Sequence, residues 1–286
     1  MISSIGKIPV RMDSWVPFSG KDKRMKILNE IFHLRLNLER VLLLGMMSFL
    51  TFVSWMAMYD MSWMHWGVNN HCEKHPSTFS LSWIVLNLCM WILMMVAMML
   101  PSFLKSVLLF TKIDQSKNRG AYFFGIRNGI YIVSGYLSAW IGYSLLGTAL
   151  QFLLLRLNLL SSNLSFYSNE WSAGSLITAG IFQFSGIKDK CLSQCKSPLG
   201  FFLTSWKEGA LGAFQMGWSQ GIYCVGCCLL LMALMFVGGL MNLAWMIGLT
   251  ALVLAEKWID GKFSIRKSTG VVLVGWGLFL LIGKSF

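Results

Sequence analysis

Between Gly209 and Ala255 the chain runs for 47 residues without one charged side chain. No other feature restricts the fold as much. A helix needs about 20 apolar residues to cross a bilayer, so this run is too long for one span and long enough for two. Gly238, Gly239 and Asn242 suit the tight turn that would join them. Across all 286 residues, 56% are hydrophobic and 13% charged, against about 25% charged in an ordinary soluble chain. A water-soluble domain of this length has no interior large enough for so much apolar side chain. The expected fold class is all-α, a polytopic transmembrane helix bundle.

Seven spans are expected, at about 41–59, 81–100, 122–151 and 171–187, two within 209–255, and one at 269–282. Pro101 is expected to close the second. Lysine and arginine then fall in alternate connections. With the N-terminus cytoplasmic, the inner segments hold 8 up to Arg40, 5 from Lys105 to Arg127, 4 from Lys188 to Lys207 and 4 from Lys257 to Lys267. Only Lys74, Arg156 and Lys284 of the 24 fall outside. That bias follows the positive-inside rule. It makes 1–40 a basic cytoplasmic segment and 41–286 the transmembrane domain. Residues 1–40 also lack the apolar core and cleavage site of a signal peptide. Topology and anionic lipid account for the net charge of +12. The implied partner is therefore the lipid bilayer, with no nucleic acid, and the pattern sets no oligomeric state. Gly125/Gly129 and Gly217/Gly221 are GxxxG pairs suited to close helix packing.

Cys224, Cys227 and Cys228 occupy the fifth span. At 100° per residue they lie within an arc of about 100°, so one helix face carries all three sulfurs. Two sulfurs bound to one metal at about 2.3 Å can be up to about 4.6 Å apart, which neighbours on a helix can reach. Thiols are also small, apolar packing groups, and the three alone fit that role equally well. Buried thiolates require a compensating cation, and soft sulfur favours Cu(I) or Zn(II) over hard ions. The second span adds Met90, Met94 and Met98 in one i,i+4 row, with Met95 and Met99 beside it. Thioethers are neutral, soft ligands for Cu(I); a methionine stripe alone is more often an adaptable filler of helix packing, and the 19 methionines of this chain narrow that gap.

Two clusters flank these helices. Cys191 and Cys195, four apart in "KDKCLSQCKSP", lie in an inner segment rich in lysine, where the cytosol keeps thiols reduced and cations favour the thiolate. On the outer side "HWGVNNHCEKH" gathers His65, His71, Cys72 and His75, a candidate pick-up site or simply a solvated loop. Cys72 is the only cysteine placed outside, so no disulfide framework is expected. Walker, dinucleotide, HExxH and GxSxG motifs are absent. An acidic proton relay within the spans is missing too, since Glu256 stands at a helix end and Asp189 and Glu208 in the inner loop.

The ordered motifs "MWILMMVAMMLPS", "KDKCLSQCKSPLGFF", "GIYCVGCCLLLMALMFVGGLMNLAWM" and "LAEK" resemble the DUF2182 family, over about residues 83–257. That bacterial family is described as predicted metal-binding integral membrane proteins. The resemblance implies a multi-pass protein of the bacterial inner membrane. It also implies that Cys191, Cys195, Cys224, Cys227, Cys228, Met94, Met98 and Met99 occupy motif positions. The family pattern commonly has a histidine where this chain has Gln220, and a tryptophan where it has Leu229. Losing an imidazole weakens a borderline-metal site more than a sulfur site. The expected function is binding of a soft metal, Cu(I) with zinc as the alternative, for trafficking or delivery to a metallochaperone or copper-enzyme partner. Binding is expected rather than catalysis. A packing-only scaffold and a membrane thiol or metal oxidoreductase are the competing readings.

Overall fold

The computed structural model describes residues 40–60, 81–117, 124–161, 164–259 and 265–282, all within the compact unit Arg40–Phe286. These residues form helices: α1 (Arg40–Asp60), α2 (Leu81–Lys117), α3 (Phe124–Arg156), α4 (Asn169–Phe182), α5 (Gly186–Lys196), α6 (Pro198–Thr204), α7 (Gly209–Ala233), α8 (Met235–Gly238), α9 (Leu243–Trp258) and α10 (Ile265–Ile282). Among the described residues the only β-pairing is an isolated bridge between Leu160 and Phe166. Among the described residues five helices are long and apolar enough to cross a membrane: α1, α2, α3, α7 continued through α8, and α10. At the other two places where spans are expected, α4 has 14 residues and α9 has 16.

Pro101 does not close the second helix. α2 runs 37 residues straight through it. Proline has no N–H to offer the carbonyl four residues earlier, and a carbonyl left bare in an apolar surround is costly. Here the Ala97 carbonyl accepts instead from Trp55 Nε1 on α1, at 3.1 Å. A helix of this length spans about 55 Å, well beyond the roughly 30 Å of bilayer hydrocarbon. Its C-terminal part packs against α6 and α9, with Phe110 stacked on Trp206 at 5.5 Å.

Missing side chains set the closest helix approach. A Cβ on Gly217 would lie 2.0 Å from the Ile132 carbonyl oxygen, and one on Gly135 would lie 2.1 Å from that of Phe214. α3 and α7 thus touch backbone to backbone, and Gly221 continues the seam against Tyr136 and Ala139. α4 and α10 pair in the same way through Gly180, Gly270 and Gly277.

The expected turn after the cysteine helix is present. Gly239 takes φ +88°, which favours glycine, and Asn242 Oδ1 caps α9 by accepting from Trp245 N at 3.2 Å. Trp245 Nε1 then donates to the Leu234 carbonyl at 2.9 Å, satisfying the end of α7.

α5 is the polar element of the bundle. Ser185 caps it, its Oγ accepting from Ile187 N and Lys188 N at 3.1 and 3.3 Å. Despite its lysines it packs against α7 and α9. Two ion pairs hold it there. Lys188 Nζ meets Glu256 Oε2 on α9 at 2.8 Å and also donates to Gln183 Oε1. Arg266 on α10 meets Asp189 at 2.8 Å and reaches the Ser185 carbonyl at 3.3 Å. The segment expected as a cytosolic loop is thereby fixed against the cysteine helix.

Candidate metal centre

α7 turns one face inward, and Cys224, Cys227 and Cys228 are at most 2% exposed, whereas Ile222 and Tyr223 are exposed. The Cys227 and Cys228 sulfurs lie 3.3 Å apart. Cys227 Sγ also donates to the Cys224 carbonyl at 3.2 Å. The fourth sulfur comes from α5: Cys195 Sγ lies 4.0 Å from Cys227 Sγ. Cys224 stands one turn before Cys227 and Cys228 on the same buried face of α7.

Gly226 explains how α5 comes so near. A Cβ there would stand 3.1 Å from Cys191 Sγ, so the glycine of "CVGCC" leaves room for the sulfur of the facing helix. Cys191 and Cys195, one turn apart, both lie on the side of α5 that meets α7. Partial burial pushes the Cys191 thiol up.

The other walls are polar at well-defined points. Lys257 Nζ on α9 lies 2.8 Å from Cys224 Sγ and 3.0 Å from Ser102 Oγ on α2. Tyr136 OH on α3 lies 3.0 Å from Cys224 Sγ and donates to the Met99 carbonyl at 3.1 Å. Ser102 Oγ donates to the same carbonyl at 2.8 Å. Phe103 stacks on the Tyr136 ring at 4.0 Å and fixes its direction. Cys224 is therefore contacted from α3 and α9, and Ser102 and the Met99 carbonyl of α2 hold those two partners.

Met94, Met98 and Met99 are fully buried in the same core. Met98 and Met99 stand one turn before Ser102, on its side of α2. Gln220, one turn before Cys224, donates to the Gln194 carbonyl at 3.1 Å, and its Oε1 is buried without a partner. The outer cluster of His65, His71, Cys72 and His75 lies outside the described residues.

Sequence reading missed Lys257, which it counted among the inner-loop charges, and Tyr136. The signal for Lys257 was the adjacent Glu256 and Lys257 continuing the apolar α9. Both are buried, one toward Lys188 and the other toward Cys224. Nothing local marks Tyr136.

The separations of 3.3 and 4.0 Å fall inside the about 4.6 Å that two sulfurs on one metal span. Among the described residues no three His, Cys, Asp or Glu side chains form a ready metal site. The arrangement is a hydrogen-bonded thiol cluster that offers sulfur in pairs. Two-coordinate binding suits soft monovalent ions, whereas structural zinc takes four ligands.

No curated protein matches the chain, and no solved structure does. A family model described as PpoB2, copper chaperone, matches residues 88–280. That stretch holds the cysteine cluster, Lys257, Tyr136 and the methionines of α2, and it overlaps the region of the motif resemblance. The chain belongs to the PpoB2 copper chaperone family.

Proposed function

We propose that this protein is a membrane-embedded Cu(I) carrier whose cargo is held by sulfur from two elements. The observation that carries the reading is the 4.0 Å approach of Cys195 on α5 to Cys227 on α7, beside the Cys224 and Cys228 thiols. Cu(I) bound there replaces thiol protons and leaves by ligand exchange, each arriving thiolate displacing one that departs. No change of oxidation state is involved.

In this reading the chain has seven spans, α4 and α9 being short ones, in the inner membrane of a bacterium with its N-terminus in the cytoplasm. α5 and α6 then line the cytoplasmic end, where Cys191 and Cys195 exchange copper with a metallochaperone or a copper enzyme. Met94, Met98 and Met99 supply neutral thioethers on the way to the cluster, and neutral ligands pass Cu(I) without adding charge to the membrane interior. His65, His71, Cys72 and His75 serve as the outer pick-up site.

Purified protein in lipid nanodiscs, loaded with Cu(I) and washed, should retain about one copper per chain through its thiolates. The Cys224→Ser/Cys227→Ser/Cys228→Ser variant should retain essentially none. Equal copper in both would exclude the central site, and retention of zinc in place of copper would reassign the cargo.

A further inference from the structure

Among the described residues, Lys257 differs from the ion-paired Lys188 and Arg266. Its side chain is buried, and its Nζ is directed at a sulfur rather than a carboxylate, 2.8 Å from Cys224 Sγ. Glu256, the adjacent residue on α9, is bound to Lys188 instead. Ser102 Oγ also accepts from the ammonium, at 3.0 Å. The neighbouring carboxylate of α9 is thus paired elsewhere, and the Lys257 ammonium faces the thiol cluster. A buried ammonium is costly unless matched by negative charge.

We propose that Lys257 sets the charge of the ion the cluster accepts, selecting a monovalent over a divalent metal; this rests on the copper reading above. Two thiolates and one Cu(I) carry a net charge of −1, which the Lys257 ammonium brings to zero. Two thiolates and a divalent ion are already neutral, and the same ammonium then leaves an uncompensated +1 inside the protein. A site shut off from water favours the neutral sum, since Coulomb energies are several-fold larger there than in solvent. Lys257 acts through Cys224 and is a positioning and specificity residue.

Hg(II) is the discriminating probe. It takes the same two-coordinate, soft dithiolate geometry as Cu(I) but carries one more unit of charge. Competition titrations with both ions, on wild type, Lys257→Met and Lys257→Arg in nanodiscs, read the assignment directly. Lys257→Met should bind Cu(I) about 100-fold more weakly, with Hg(II) affinity unchanged or increased, and Lys257→Arg should restore Cu(I) binding. An equal loss for both ions would mean that Lys257 only supports the fold. Unchanged Cu(I) affinity in Lys257→Met, or no rescue by Lys257→Arg, would also overturn the proposal. A wild type that takes up no Cu(I) would overturn the copper reading, and this assignment with it.

Discussion

Replacing Lys188 by methionine should destabilise the protein by about 3–5 kcal/mol, the loss usual when one partner of a buried ion pair is removed. The Lys188 and Glu256 side chains are only 1% and 2% exposed. Glu256 Oε1 already lacks a hydrogen-bond partner, so without Lys188 the carboxylate is isolated. The effect should reach the thiol cluster, because Lys188 and Cys195 share the eleven-residue α5. Midpoints of thermal unfolding in detergent, followed with a thiol-reactive dye, measure both consequences. The dye should label Cys195 and Cys227 at lower temperature in Lys188→Met than in wild type. Adding Glu256→Leu should recover most of the loss, since a well-packed apolar pair often replaces a buried ion pair without cost. A fall of less than about 1 kcal/mol in the single variant would show that water reaches this pair.

Gly217→Ala is expected to produce the second large effect, although it adds only one methyl group. The new Cβ would fall 2.0 Å from the Ile132 carbonyl oxygen, and a backbone atom yields only if the whole helix moves. Overpacking of this kind costs about 1–3 kcal/mol. Separation of α3 from α7 should also break the 3.0 Å contact between Tyr136 and Cys224. Gly142→Ala on α3 is the control, because a Cβ there meets nothing within 4 Å. In a helix interior that change should be neutral or stabilising by up to about 1 kcal/mol. Parallel melting curves of the two variants provide the comparison, and equal midpoints would contradict the packing described for the α3–α7 seam.

The helical class was legible because long uncharged runs permit little else in a chain of this size. The turn at Gly239 and Asn242 was legible for a local reason, since left-handed backbone and helix caps favour those residue types. What escaped depends on partners far away in sequence. The passage of α2 through Pro101 requires Trp55 to satisfy the Ala97 carbonyl, 42 residues away. α5 reads as part of a lysine-rich cytoplasmic loop, yet its Lys188 finds Glu256, 68 residues later.

The candidate site divides along the same line. Helical phase alone placed Cys224, Cys227 and Cys228 on one face. The approach of α5, and with it of Cys195, depends on the bare Cα of Gly226 facing Cys191 and on the ion pairs that clamp α5. A lysine counted toward membrane topology proved to contact a sulfur, because position in a connection says nothing about where a long side chain ends.

X-ray absorption at the copper edge of the Cu(I)-loaded protein tests most directly whether α5 and α7 share the ion. The account predicts a first shell of sulfur alone in the wild type, with about half of the copper or more lost to a competing chelator when Cys195→Ser removes one of the paired thiolates. A first shell dominated by nitrogen or oxygen, or one unchanged in spectrum and occupancy by Cys195→Ser, would contradict it.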